Sequence, residues 1–259
     1  MDLRLRGKRA LVTGASKGIG AAVAETLAGE GCDLELAARN EDALKALAAR
    51  LHEEHGVGVG VHPVDLRSAD AIARLAAEVA DVDILVNNAG DIPSGSIEAL
   101  DADAWRRGWE LKVFGYIELT RLYFARMKAR GGGVIVNDIG ASGEQGDFDY
   151  VAGSAGNAAL MSLTRTLGGR VSEHGVRVVG VNPGPVETER IVALMKGIAK
   201  GRLGDPDRYP ELMAGFPMGR PATPAEVADA IAFLASERSA YTSGVILTID
   251  GGLTAGASM

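Results

Sequence analysis

Seven short apolar runs punctuate the chain: Ala10–Val12, Leu34–Ala37, Val57–Val61, Ile84–Val86, Val134–Val136, Val176–Val181 and Val245–Ile249. They are rich in Val, Ile and Leu and lack polar alternation, the pattern of strands covered on both faces. Between them, apolar positions recur at helical spacing over Glu41–His55, Ala69–Val79, Ala102–Arg130 and Pro224–Ser236. This alternation predicts one α/β domain over residues 1–259, with a seven-stranded parallel sheet doubly wound by helices on both faces. One long interruption, Glu187–Pro221, follows a strand end and carries Gly201, Gly204, Pro206 and Pro210. Insertions at that edge commonly cover a ligand crevice, so 187–221 reads as a substrate lid, with an ordinary surface excursion as the alternative.

Composition narrows the function. At 259 residues the chain can bury a sizeable core, and 27 Lys and Arg against 34 Asp and Glu leave a net charge of −7. That balance argues against nucleic-acid and anionic-membrane partners. The single cysteine, Cys32, permits no internal disulfide and reads as a small buried residue entering a strand. The charged N-terminus runs straight into a strand, and no apolar run nears the ~20 residues of a membrane span. A cytoplasmic location is the expectation. His52, His55, His62 and His174 form no metal-ligand pattern.

The first strand ends in TGASKGIG, Thr13 to Gly20, directly before a helix. Glycines there let the backbone turn tightly and approach a pyrophosphate seated on the helix N-terminus. Four stretches follow in order: Asp65-Leu66, NNAG (Asn87 to Gly90), NPGPVET (Asn182 to Thr188) and IDGG (Ile249 to Gly252). Together they resemble the short-chain dehydrogenase/reductase family across essentially the whole chain. The resemblance implies a Rossmann-like fold, a nicotinamide cofactor, a small-molecule substrate and a homo-oligomer, tetramer or dimer. Its interfaces would be the helices Ala102–Arg130 and Ser154–Glu173, and the C-terminal segment Tyr241–Met259. It also implies that Gly14, Gly18 and Gly20 shape the dinucleotide turn, with Ser16 and Lys17 within it, that Ile19 approaches the nicotinamide-ribose side, and that Asp65, with Leu66, meets the adenine. Asn87 and Gly90 would line the cofactor slot; Pro183, Gly184, Val186 and Thr188 would hold the nicotinamide end. Asn88 and Ala89 would brace the central strands.

The second strand reads LELAARN, which places Ala38 where an acid would bond a ribose 2′-hydroxyl, followed by Arg39. Arg39 and Lys17 with no carboxylate suit a 2′-phosphate, so NADP(H) is expected over NAD(H).

The family's chemistry uses Asn, Ser, Tyr and Lys, and here all four matching positions differ. GGVIVNDIGASG places the serine position on Gly140. NAALMSLTR places the lysine position on Asn157 and therefore the tyrosine position on Gly153. WELKVFGY places the asparagine position on Lys112. Tyr150 stands three residues before Gly153, about 5 Å along a helix axis, and can lean back over the glycine if the helix begins near it. If the helix begins at Ser154 instead, Tyr150 lies on a loop. Lys112 and Asn157 exchange the expected identities, so Lys112 is a candidate for the missing ammonium and Asn157 for the ribose hydrogen bonds. Ser142 is a candidate for the serine. Asp138, Glu144 and Asp147 lie near the same edge and read as exposed loop acids.

Three functions are compatible with these residues. The first is an NADP(H)-dependent oxidoreductase with a rearranged site, acting on a carbonyl, alcohol, imine or activated alkene. The second is a non-catalytic NADP(H)-binding protein, and the third a lyase or isomerase on the same scaffold.

Overall fold

Strands that hide both faces must stack side by side beneath helices, and they do. A computed structural model describes residues 1–256. Its strands are β1 (Arg9–Thr13), β2 (Asp33–Ala38), β3 (Val59–Pro63), β4 (Ile84–Asn87), β5 (Gly133–Asp138), β6 (Val176–Pro183) and β7 (Ile246–Ile249). All neighbours pair in parallel, in the order β3-β2-β1-β4-β5-β6-β7. The order reverses between β1 and β4, and a ligand crevice is expected beyond the carboxyl ends of the strands at that point.

The helices are α1 (Gly18–Gly29), α2 (Glu41–His55), α3 (Ala69–Glu78), α4 (Ala102–Trp109), α5 (Gly115–Arg130), α6 (Val151–Gly168), α7 (Glu189–Leu203), α8 (Tyr209–Met213), α9 (Pro224–Ala235) and α10 (Leu253–Gly256). Val12, Leu36, Val86 and Val136 point to one side of the sheet, where Leu27 of α1, Leu44 of α2 and Ile231 of α9 cover them. Leu11, Leu85 and Ile135 point to the other, against Leu75 of α3 and Tyr123 of α5. Asn40, Ser68, Asp101 and Thr223 cap α2, α3, α4 and α9 through their side chains.

The long helical stretch expected over 102–130 is interrupted. A π-helical turn, Glu110–Phe114, separates α4 from α5. Glycines flank it because neighbours crowd both sides: a Cβ on Gly108 would stand 3.2 Å from Ile92 Cα, and one on Gly115 3.3 Å from the Leu66 carbonyl. Such wide turns are frequent at functional sites, and this one carries Lys112. The third strand starts at Val59 rather than Val57, since Gly58 is held by the Asp33 carboxylate, 2.7 Å from its N–H. The excursion 187–221 is helical, formed by α7 and α8 with short connecting turns. Of the C-terminal segment expected at an interface, residues 257–259 lie outside the described ones.

Cys32 is buried as expected; its thiol contacts the Leu5 carbonyl at 3.4 Å, and burial pushes it up to about 12. A buried acid was not foreseen. Glu35 of β2 is 6% exposed and bonds both Arg9 and His62. Burial alone would raise its pKa, but the His62 and Arg9 bonds outweigh it and hold the carboxyl below its usual value. A depressed folded pKa stabilises above the unfolded value of about 4.3 and loses that contribution as pH falls through the folded pKa. Glu35→Ala is expected to cost about 1–3 kcal/mol at pH 7, less than a fully buried pair because Arg9 is half open to water. Urea melts at pH 7 and pH 3.5 check this: the gap between variant and wild type narrows at the lower pH.

Candidate active site

The carboxyl ends of β1, β4, β5 and β6 open into a crevice of about 1980 Å³, walled on the far side by α7. Each strand contributes the residues just past its end, because that is where the backbone leaves the ladder and side chains turn outward.

β1 delivers the glycine turn. Gly14 and Gly18 have φ of 68° and 59°, the left-handed region that favours glycine. A Cβ on Gly14 would stand 2.7 Å from Asn88 Nδ2, and one on Gly20 would overlap the Gly14 carbonyl. Asn88 secures the turn: its amide donates to the Thr13 and Gly14 carbonyls at 2.7 and 3.3 Å. α1 then starts with no side-chain cap and no acid in its first turn. Its free N–H groups and positive dipole end suit an anion.

β5 leads to Ile139 and Gly140, whose carbonyls are gripped from two sides. The Lys112 ammonium donates to Ile139 O. Asn157 Nδ2 donates to Gly140 O at 3.3 Å and to Ser142 Oγ at 2.9 Å. Asn157 is buried and its Oδ1 has no partner among the described residues, an acceptor that a ribose hydroxyl would satisfy. The Lys112 stem crosses Gly90, where a Cβ would stand 3.0 Å from its Cδ.

α6 starts at Val151, with Tyr150 as its N-cap. The ring of Tyr150 folds back over Gly153: a Cβ on Gly153 would fall within the ring, against Cε1 and Cζ. The leaning tyrosine expected from a helix beginning near residue 150 is therefore the geometry present. Arg190 of α7 meets it. Its guanidinium lies 5.7 Å from the ring centroid and reaches the Tyr150 hydroxyl at 3.4 Å and the Ile92 carbonyl at 2.7 Å.

Asp138 corrects an expectation. It is not an exposed loop acid but the 7% exposed last residue of β5, in the crevice wall. Burial pushes its carboxyl up to about 6, against the pull of Lys112. Burial also draws Lys112 down to about 8, with Asp138 opposing and Arg190 assisting. The hydroxyl of buried Tyr116 donates to the Asp138 main-chain oxygen at 2.9 Å, fixing the strand end. Glu144 and Asp147 are exposed; Glu144 accepts from Asn182 and Thr248, both at 2.8 Å.

The crevice gathers Gly14, Ser16, Lys17, Gly18, Ile19, Arg39, Leu66, Gly90, Pro183, Gly184, Val186 and Thr188 with Lys112, Ser142, Tyr150 and Asn157. Three expected residues stand outside it. Gly20 is buried behind the turn, where it gives α1 room to approach. Asn87 is fully buried and bonds Thr120 and Asn137 at 3.2 and 2.9 Å beneath the crevice; the neighbours Asn88 and Ala89 line it instead. The Asp65 carboxylate is engaged by Arg67 on both oxygens, and these bonds hold its pKa below the usual range. Lys17 is ion-paired with Glu189 of α7 at 2.9 Å, whereas Arg39 pairs with no carboxylate among the described residues. Arg190 was missed altogether, because its partners lie 40 and 98 residues away.

Comparison with known proteins matches this architecture. A family model described as enoyl-(acyl carrier protein) reductase covers residues 14–254. The chain is 34% identical to trans-4-hydroxycyclohexanecarboxylate dehydrogenase of Sinomonas cyclohexanicum, over 98% of this chain and 95% of that one. It is 33% identical to 3-oxoacyl-acyl-carrier-protein reductase FabG of Escherichia coli (strain K12), over 97% and 99%. The crystal structure of L-sorbose reductase from Gluconobacter frateurii, complexed with NADPH and L-sorbose, superposes with a TM-score of 0.90 at 34% identity, covering 98% of this chain and 99% of that one. The chain belongs to the short-chain dehydrogenase/reductase family of oxidoreductases. Among the described residues no helix is long and apolar enough to cross a membrane, and no group of three or more His, Cys, Asp or Glu is placed to hold a metal.

Proposed function

We propose that this chain is an NADP(H)-dependent oxidoreductase of small carbonyl or alcohol substrates, in which Tyr150 exchanges the proton. The observation that carries the reading is the Tyr150 ring seated over Gly153, which brings a phenol against the backbone position from which the family's tyrosine would branch. Bound nicotinamide supplies the hydride in reduction and takes it up in oxidation. The protein's own groups do the rest. The α1 N-terminus and glycine turn hold the pyrophosphate, Asn157 Oδ1 accepts from the ribose, and Tyr150 gives its proton to the substrate oxygen. The Arg190 guanidinium donates to the phenol oxygen at 3.4 Å, which leaves the phenol's own proton free for the substrate. Lys112 stands in the same wall, where its ammonium donates to the Ile139 carbonyl and holds the chain just past β5.

NADP(H) is preferred because Arg39, beside the end of β2, faces the crevice without a carboxylate partner, and Ala38 offers none. A carboxylate at 38 would repel a 2′-phosphate; an unpaired guanidinium pairs with it. The L-sorbose reductase relative, crystallised with NADPH, supports the same choice. Titration following nicotinamide fluorescence tests it. NADPH is expected to bind at least about tenfold more tightly than NADH, and Arg39→Ala to remove most of that margin. Equal affinities would contradict the preference.

The segment 187–221 is assigned as the substrate lid: Ile191, Leu194 and Met195 of α7 face the crevice, and the Lys17–Glu189 ion pair ties the start of that helix to the glycine turn. We also propose a homo-oligomer, with exposed Phe114 and Ile117 at an interface.

A further inference from the structure

Arg190 is unlike the other cations near the proton-transfer site. It is oriented by two contacts through one nitrogen, to Ile92 O and to the Tyr150 hydroxyl. Its Nε and second terminal nitrogen have no partner among the described residues, and no carboxylate there lies within ion-pair distance. Its neighbour Glu189 is committed to Lys17, 2.9 Å away. Asp91, Asp138, Asp147 and Asp149 all line the crevice, yet none pairs with Arg190. A guanidinium held in place through one terminal nitrogen, with its Nε–H and its other terminal nitrogen still free beside the proton donor and no carboxylate paired to it, offers charge-assisted donors to a substrate carboxylate. One helical turn further on, Leu194 presents an apolar side chain to the same crevice.

From this arrangement we infer that the substrate is an oxo acid in the reducing direction, and the matching hydroxy acid in the oxidising one. Its carboxylate rests on Arg190 and its carbonyl oxygen on Tyr150. This rests on the oxidoreductase reading above and adds the substrate class. Reduction places a hydride on the carbonyl carbon and the Tyr150 proton on the oxygen; NADPH becomes NADP+, a solvent proton restores the phenol, and the carboxylate is unchanged. The NH2-to-hydroxyl separation of 3.4 Å requires the carboxylate and carbonyl to lie a few bonds apart on one small molecule.

The test compares 3-oxobutanoate and 4-oxocyclohexanecarboxylate with their methyl esters, using wild type, Arg190→Met and Arg190→Lys. Wild type is expected to favour at least one acid over its ester by about 10- to 100-fold in kcat/KM. Arg190→Met brings that ratio near one, mainly through KM, while Arg190→Lys keeps part of it because the charge remains and the oriented donors are lost. Equal use of acid and ester by wild type overturns the inference and leaves the oxidoreductase reading standing. So does an equal loss on acid and ester in Arg190→Met, the mark of a merely structural role. If no ketone oxidises NADPH, binding decides. An Arg190-dependent change in the fluorescence of bound NADPH on adding cyclohexanecarboxylate, but not its methyl ester, supports the anion site while the oxidoreductase reading fails. No change with either overturns both.

Discussion

Tyr150→Phe is expected to lower kcat by about 100- to 10,000-fold, the range that a positioned general acid contributes, while leaving the Kd for NADPH and the melting temperature close to wild type. Phenylalanine keeps the ring that fills the space over Gly153 and removes only the hydroxyl that Arg190 meets at 3.4 Å. Gly153→Ala asks the same question from the other side. Its new methyl occupies the seat of the Tyr150 ring, so the phenol is expelled with its hydroxyl intact. Both variants should lose turnover together, for opposite structural reasons. A Tyr150→Phe enzyme with wild-type kcat would assign the proton to another group, of which Asp138, raised to about 6 by burial, is an alternative in the crevice wall.

The second large effect concerns the cofactor turn. Gly20→Ala is expected to weaken NADPH binding by about 10- to 100-fold, because the strain of overpacking, about 1–3 kcal/mol, falls on the turn itself. The added methyl overlaps the Gly14 carbonyl and Asn88 Nδ2. The first atom belongs to backbone and cannot rotate away. The second is the amide that holds the Thr13 and Gly14 carbonyls, so α1 and the glycine turn must part. Gly29→Ala at the far end of α1 is the control: its Cβ would meet only His55 at an ordinary 3.9 Å, and affinity should not change. Fluorescence titration with NADPH reads both.

The sheet was legible because burial on both faces leaves a signature independent of context: an unbroken Val, Ile and Leu run needs neither partner nor register to be recognised. The crevice was legible for a related reason. Residues just past the ends of β1, β5 and β6 sit at fixed offsets from those runs, so Gly14, Gly140 and Gly184 could be placed by counting. What counting could not give was the direction of a side chain. Asn87 and Asn88 are adjacent, yet one is buried on Thr120 and Asn137 and the other holds the glycine turn. Asp138 precedes Ile139 and Gly140 and so resembles a loop acid, but it is still in the ladder opposite Val181 and is therefore buried. Arg190 had no local signal, since its role depends on the start of α7 meeting Tyr150 and Ile92, which are distant in sequence. Tyr150 was intermediate: helical spacing made the lean over Gly153 available, and the helix start at Val151 selected it over the loop alternative.

The central claim is that this chain moves a hydride between NADP(H) and a substrate carbonyl with Tyr150 exchanging the proton. The most direct test is to incubate the protein and a ketone panel, oxo acids included, with NADPH deuterated at both C4 positions and to weigh the products. The account predicts an alcohol one deuterium heavier from wild type, and a yield at least about 100-fold lower over the same time from Tyr150→Phe. A folded protein that binds NADPH yet transfers no deuterium to any ketone would contradict it and identify the chain as a binder of the cofactor rather than a user of it.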